Sequence, residues 1–185
     1  ADPDNFPIPR RVFITSDPGP ADLSQWPDAG GKTGILAGDA ICQARAEQAN
    51  LDGTFRAWLS DDSNDAYCHV MGHSGKKGSC VSDTVAAYVR TDNFLVAKSL
   101  DKLLSANEMY TAIQLDEHGK NLIEQNLDGP NLSVWTGTNA SGTVGGTGGH
   151  CNNWTSSSMD DQGGFGYGQR TLGQWTAAWD APCGS

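Results

Sequence analysis

A chain of 185 residues with 37% hydrophobic content, 23 glycines and 8 prolines is long enough for a full apolar core. Its composition argues for short strands and long loops and against a helical bundle. The net charge of −10 and the twelve scattered Lys and Arg exclude nucleic acid, heparin and anionic membranes as main partners, because those need clustered cations.

No apolar run approaches the roughly 20 residues that span a bilayer, so membrane insertion is not expected. The polar start "ADPDNFPIPR" is read as a tail over residues 1–10, leading into one domain over 11–185 of a mature secreted form. "RRVFITS" carries the β-branched and aromatic residues of a strand. A turn-rich connection with Pro18, Pro20 and Pro27 follows. The periodicity then predicts a helix from about 39 to 50, with Gly38 or Asp39 at its start and Asp52-Gly53 ending it. Ile41, Cys42, Ala46 and Ala49 share its apolar face, opposite Gln43, Glu47 and Asn50. Arg45 falls inside that face and is expected to snorkel outward.

"TFRAWLS" alternates Phe55, Ala57 and Leu59 against Arg56 and Trp58, as a strand does. A polar loop holds Cys68 and Cys80, and "AAYVRTD" reads as a strand. "SLDKLLSANE" reads as a short helix capped by Ser99. A hairpin is expected to turn at Glu117-His118-Gly119, and "LSVWTGT" is a strong strand that places Trp135 in the core. "NASGTVGGTGGH" is a glycine-rich loop, "CNNWTSSS" opens a strand or turn, and residues 159–183 form a long loop without periodicity.

Three blocks in one order, "GDAICQARAEQANLDGTFRAWLS", "SVWTGTNASG" and "CNNWTS…LGQWTAAWDAPC", resemble the endostatin-like and bacterial lectin-like domains of the C-type-lectin fold. These include bacterial surface and secreted domains of unassigned function. The resemblance implies an α+β fold: a small twisted antiparallel sheet with one or two helices and long loops. It pairs Cys151 with Cys183. It would also pair Cys42 with a cysteine in a final strand that this sequence lacks after Gly184-Ser185, through shortening or by nature. Cys42 is then expected as a buried, quiet thiol. Cys68 and Cys80 belong to an inserted loop and most simply staple each other.

A catalytic reading needs a nucleophile with a base, or an open metal site. No Gly-x-Ser-x-Gly or His-Glu-x-x-His sequence occurs. His69 and His73 stand four apart, but the run between them is Val-Met-Gly. His118 and His150 lie in glycine-containing turns and are expected to be exposed. The resemblance would bring a calcium site, yet its ligand triplets are missing, and the only Pro-Asn lies in "GPN" at 129–131. The pairs Asp61-Asp62 and Asp160-Asp161 read as solvated. Trp175 and Trp179 sit among Gly173, Gln174 and Thr176, where a tryptophan either stacks on a ligand or packs beneath its loop.

These readings predict an extracellular, secreted or surface-displayed recognition module, adhesin-like or at a fibre tip, with no catalytic residue, metal or cofactor. It would bind a protein receptor or a glycan through Asn152, Asn153, Trp154, Asp160, Asp161, Tyr167, Trp175 and Trp179. One alternative is a secreted metal-dependent enzyme using the His69/His73 loop. Another is a structural cap or trimerising element of a longer fibre, acting as a homo-oligomer. Sequons occur at Asn131, Asn139 and Asn153.

Overall fold

A computed structural model describes residues 7–82, 85–105, 108–125, 132–145 and 149–184. The structure has two three-stranded sheets and one long helix. The first sheet holds β1 (Arg10–Val12), β2 (Tyr88–Arg90) and β3 (Leu95–Ala97). β1 runs parallel to β2 with Arg11 opposite Val89, and β2 runs antiparallel to β3. The second sheet holds β4 (Ser133–Trp135), β5 (Gln162–Tyr167) and β6 (Trp179–Pro182), all antiparallel, with Trp135 and Trp179 on either side of Phe165. The single antiparallel sheet expected from the sequence is therefore two sheets, one of them mixed. The expected tail over 1–10 ends sooner, because Arg10 belongs to β1; residues 1–6 of it lie outside the described residues.

α1 (Gly34–Gln48) starts five residues before the expected position. Gly38 is not its start but an interior glycine at a close approach: a Cβ there would come within 2.8 Å of Leu59 and 3.0 Å of Ala57. Ile35, Ala37 and Ile41 of α1 pack with Leu23, Ala57, Leu59 and Trp154 in one core cluster. Burying a Leu- or Ile-sized side chain contributes about 1.5–3 kcal/mol. Arg45 does not snorkel. Its side chain is only 12% exposed, and its guanidinium meets Asp17 at 2.5 Å and Asp28 at 2.8 Å. The charge stays inside because two carboxylates come to it.

The expected strand over 54–60 has the predicted alternation but no ladder. Two of its backbone N–H groups are met by side chains of α1 instead. Gln43 Oε1 accepts from Phe55 at 2.9 Å, and Asp39 Oδ1 accepts from Ala57 at 2.9 Å. Asp39 and Gln43 are one helical turn apart, while Phe55 and Ala57 are two residues apart on an extended chain. Those spans are both close to 6 Å, so one helix face matches these two alternate N–H groups, while that of Leu59 goes to the Ala57 carbonyl.

A second core cluster joins Tyr67, Tyr88, Val96, Leu100, Leu103 and Trp175. It is built on α2 (Ala66–His69), β2, β3 and α3 (Leu100–Leu104). Ser99 caps α3 as expected, accepting from the Lys102 N–H. The expected hairpin is a tight turn rather than two strands. Leu115 bridges Asn121, Asp116 accepts from His118 and Lys120, and α4 (Leu122–Gln125) follows directly. Residues 159–183, expected as a loop, contain β5 and β6. Two disulfides close the chain, Cys68–Cys80 and Cys151–Cys183. Cys42 is free and half-buried rather than fully buried.

Candidate functional site

The second sheet is shaped by glycine. A Cβ at Gly163 would crowd the Cys151 sulfur and the Trp135 ring, and one at Gly166 would fall on the Trp175 carbonyl. Without those Cβ atoms β5 lies flat against the Cys151–Cys183 bridge on one side and the turn Leu172–Trp175 on the other. The chain then leaves the turn through Ala177 and Ala178 and enters β6 at Trp179. Trp175 is held inward, against Trp58 with ring centroids 5.0 Å apart. Trp179, four residues on, is 72% exposed.

Trp179 borders an open cleft of about 270 Å³ with Thr138, Asn139, Phe165, Ala178 and Asp180. Most side-chain polar groups there are already engaged. Asn139 Oδ1 accepts from Ser141 and Thr143, and its amide nitrogen donates to Thr143 Oγ1 and the Val144 carbonyl. Thr138 Oγ1 donates to the Thr136 carbonyl at 2.7 Å. Thr176, also on the lining, accepts from Trp58 Nε1 at 2.7 Å and donates to the Thr138 carbonyl. Among the described residues, the Asp180 carboxylate and the Trp179 indole N–H have no partner.

A second cleft, of about 370 Å³, lies between the start of α1 (Thr33 to Leu36), Asp61, Asn64, His69 and Asn153. One wall is an unusual turn. Cys151, Asn152, Asn153 and Trp154 all have left-handed backbone, with φ of 46°, 51°, 56° and 63°. L-residues visit that region singly, at about 1–2 kcal/mol each outside glycine. Four in succession persist because the surroundings fix them. His150 Nδ1 accepts from the Asn153 N–H at 2.9 Å, which leaves the ring hydrogen on Nε2 to be given to Asp62 at 3.1 Å. Trp154 Nε1 donates to the Ser60 carbonyl at 2.9 Å, and Cys151 is tied to Cys183. The Asn153 amide, and next the His150 ring, hold the Asp62 carboxyl below its ordinary pKa.

The expected site residues do not converge. Trp154 is fully buried and Trp175 is 6% exposed, so neither presents a face to a ligand; both are core, because their loops fold inward around them. Asn152 and Asp160 are exposed, and Asp161 is half-buried with its carbonyl accepting from the Cys183 N–H. Asn153 lines the second cleft. Tyr167 is half-buried edge-on to Phe165. Of the eight, Trp179 alone lines the first cleft. Thr138, Asn139 and Asp180 join it there unforeseen. The dipeptide Trp179-Asp180 was the available signal, but with no periodicity around it nothing marked it as the exposed start of a strand.

The histidines separate as well. His69 Nε2 binds Asp39 at 2.8 Å, while His73 is exposed. His150, expected to be exposed, is buried through its contacts with Asp62 and Asn153. Among the described residues no group of three or more His, Cys, Asp or Glu could hold a metal ion. The sequon at Asn131 and the "GPN" triplet lie outside the described residues.

Two small sheets, one long helix, two disulfides and a cleft rimmed by an exposed tryptophan define a small α+β protein stapled by disulfides. The chain belongs to the family described as "Protein of unknown function (DUF1554)", which matches residues 25–171. No curated protein matches the chain.

Proposed function

We propose that this protein is an extracellular recognition module of C-type-lectin-like architecture, binding its ligand at the Trp179 cleft without catalysis. The observation that carries this is the exposure of Trp179, at 72%, while Trp154 and Trp175 close to it in sequence are buried. A large aromatic face left in water suits a binding anchor, a role in which tryptophan is enriched. Two disulfides support an oxidising compartment, and no helix among the described residues is long and apolar enough to cross a membrane. The block order of the sequence supports the lectin-like architecture.

An array of glycans and of peptides, probed with and without calcium, tests the reading. Trp179→Ala is expected to lose about thirtyfold or more in affinity for whatever the native protein captures, with its melting temperature held. Equal capture by native protein and variant would overturn the site.

A further inference from the structure

We propose that His150 is an acid-operated latch: on taking a proton it lets go of the left-handed turn Cys151–Trp154 and keeps hold only of Asp62. Each ring nitrogen has its own task. A neutral imidazole has one donor and one acceptor, and an imidazolium has two donors. His150 Nδ1 accepts from the Asn153 N–H at 2.9 Å, and Nε2 gives its hydrogen to Asp62 Oδ1 at 3.1 Å. Both bonds exist together only while the ring is neutral. A proton on Nδ1 sets two N–H groups against each other in a residue that is 8% exposed. The same proton strengthens the other side, because the ring and the Asp62 carboxylate then carry opposite charges. The proton therefore does not expel the ring. It moves the hold of His150 from the turn to the carboxylate.

The surroundings confine the response to one place. Four successive left-handed residues stay as they are only while their neighbours hold them. The two ends are secured without any titrating group, Cys151 by its disulfide and Trp154 by burial and its bond to the Ser60 carbonyl. Loss of the His150 bond therefore falls on the middle of the turn, at Asn152 and Asn153. Asn153 stands on the wall of the larger cleft, where its carbonyl would lie 3.1 Å from a Cβ on Gly34. Release of the turn thus reshapes that cleft where it meets the start of α1. The charged groups on this side of the ring are Asp62, which it touches, and Lys76, which acts on Asp62 while its Nζ donates to the Asp61 carbonyl. β5 meets His150 with Gly163, and the start of α1 lines the cleft with Thr33 to Leu36, all uncharged. His69, also on the cleft, binds Asp39 through Nε2, and among the described residues its other nitrogen accepts no bond. A proton there breaks nothing.

The test reads hydrogen exchange of single amides in the intact protein by NMR, each relative to an unprotected amide at the same pH. Measurements at about pH 7.5 and about pH 5 bracket the range in which histidine takes its proton and stay above that of carboxylates. Protection of the Asn153 amide is expected to fall about tenfold in acid, as the loss of one hydrogen bond implies. The Ile14 amide, held by the Leu115 carbonyl, should keep its protection. His150→Asn supplies a capping residue whose side-chain oxygen accepts without titrating. In that variant the Asn153 amide should be protected alike at both pH values. The imidazole nitrogen shifts of the native protein give a reading that needs no variant: at about pH 7.5 the His150 hydrogen should sit on Nε2. Unchanged protection of Asn153, an equal fall at Ile14, the same fall in folded His150→Asn, or a hydrogen on Nδ1 in the neutral ring would each overturn the proposal.

Discussion

Asp62 and Asn153 hold each other twice: the Asp62 N–H donates to Asn153 Oδ1 at 3.0 Å, and Asn153 Nδ2 donates to Asp62 Oδ2 at 3.0 Å. This reciprocal clasp crosses 91 residues of sequence and fastens the left-handed turn to the loop after Leu59. Asn153→Ala removes the clasp and leaves a Cβ-bearing residue at φ 56° without the side-chain bonding that makes asparagine tolerable there. Its expected cost is about 2–3 kcal/mol, from about 1–2 for the conformation and about 1 for the bonds. Asn153→Gly loses the bonds but escapes the conformational term, so it should cost about 1 kcal/mol less. Urea unfolding of the two variants reads the difference; equal losses would mean that the backbone there carries no strain.

Acid should weaken the same clasp. The Asp62 carboxyl is held low in the folded protein, chiefly by the Asn153 amide and then by His150. The unfolded chain therefore binds this proton more readily than the folded one. The contribution is complete above the unfolded value of about 3.9 and is lost as pH falls through the lower folded value. Asp22, held low by the Ser24 hydroxyl, and Asp92, held low by Arg90, act in the same sense. Melting temperature should fall from about pH 4 downward. Asp62→Asn should melt lower than the native protein at neutral pH and show a shallower decline in acid.

Cys42 should be inert in the folded protein. Burial, and then the charges of Asp39 and Glu117, push its thiol up to about 12. Thiolate, the reactive form, is scarce at pH 8. Labelling with a disulfide reagent should be slow in native protein and fast in urea. Rapid native labelling would show that the thiol reaches water more freely than its packing against α1's core cluster implies.

The two disulfides should contribute unequally. Cys151–Cys183 closes 32 residues and Cys68–Cys80 closes 12. Chain-entropy estimates give about 4 and about 3 kcal/mol. Replacing both cysteines of a pair by alanine should therefore lower the denaturant midpoint more for the first pair. The margin widens if loss of Cys151 also releases the left-handed turn.

Gly166 is a strict test of the second sheet. Because its absent Cβ leaves room for the Trp175 carbonyl, Gly166→Ala must push backbone against backbone. Overpacking of this kind costs about 1–3 kcal/mol or more. Gly78, where an added Cβ meets nothing within 4 Å, is the control and should tolerate alanine.

What the sequence disclosed depended on pattern. The apolar face of α1, the cap at Ser99 and the strand at Ser133–Trp135 each follow a local rule, and each is present. β5 was illegible because its residues are Gln-Gly-Gly-Phe-Gly-Tyr. Glycine has low strand preference, and these glycines are there for contacts with Cys151, Trp135 and Trp175 that are distant in the chain. The fate of the tryptophans was hidden for the same reason. Trp175 and Trp179 have similar neighbours in sequence, but one closes the turn Leu172–Trp175 and points inward while the other opens β6 and is exposed. Arg45 misled because nothing local announces Asp17 and Asp28 as its partners.

The docking of residues 54–60 onto α1 also bears on how the protein behaves in a crowd of its own copies. An extended apolar-polar segment with free amides is a template on which another chain can add a strand, the starting point of aggregation. Here Gln43 and Asp39 occupy the amides of Phe55 and Ala57, and the Thr136 carbonyl takes that of Ser60. The segment thus has strand shape with these amides already taken. Gln43→Ala paired with Asp39→Ala would uncover two of them, and the first symptom would be turbidity at high protein concentration.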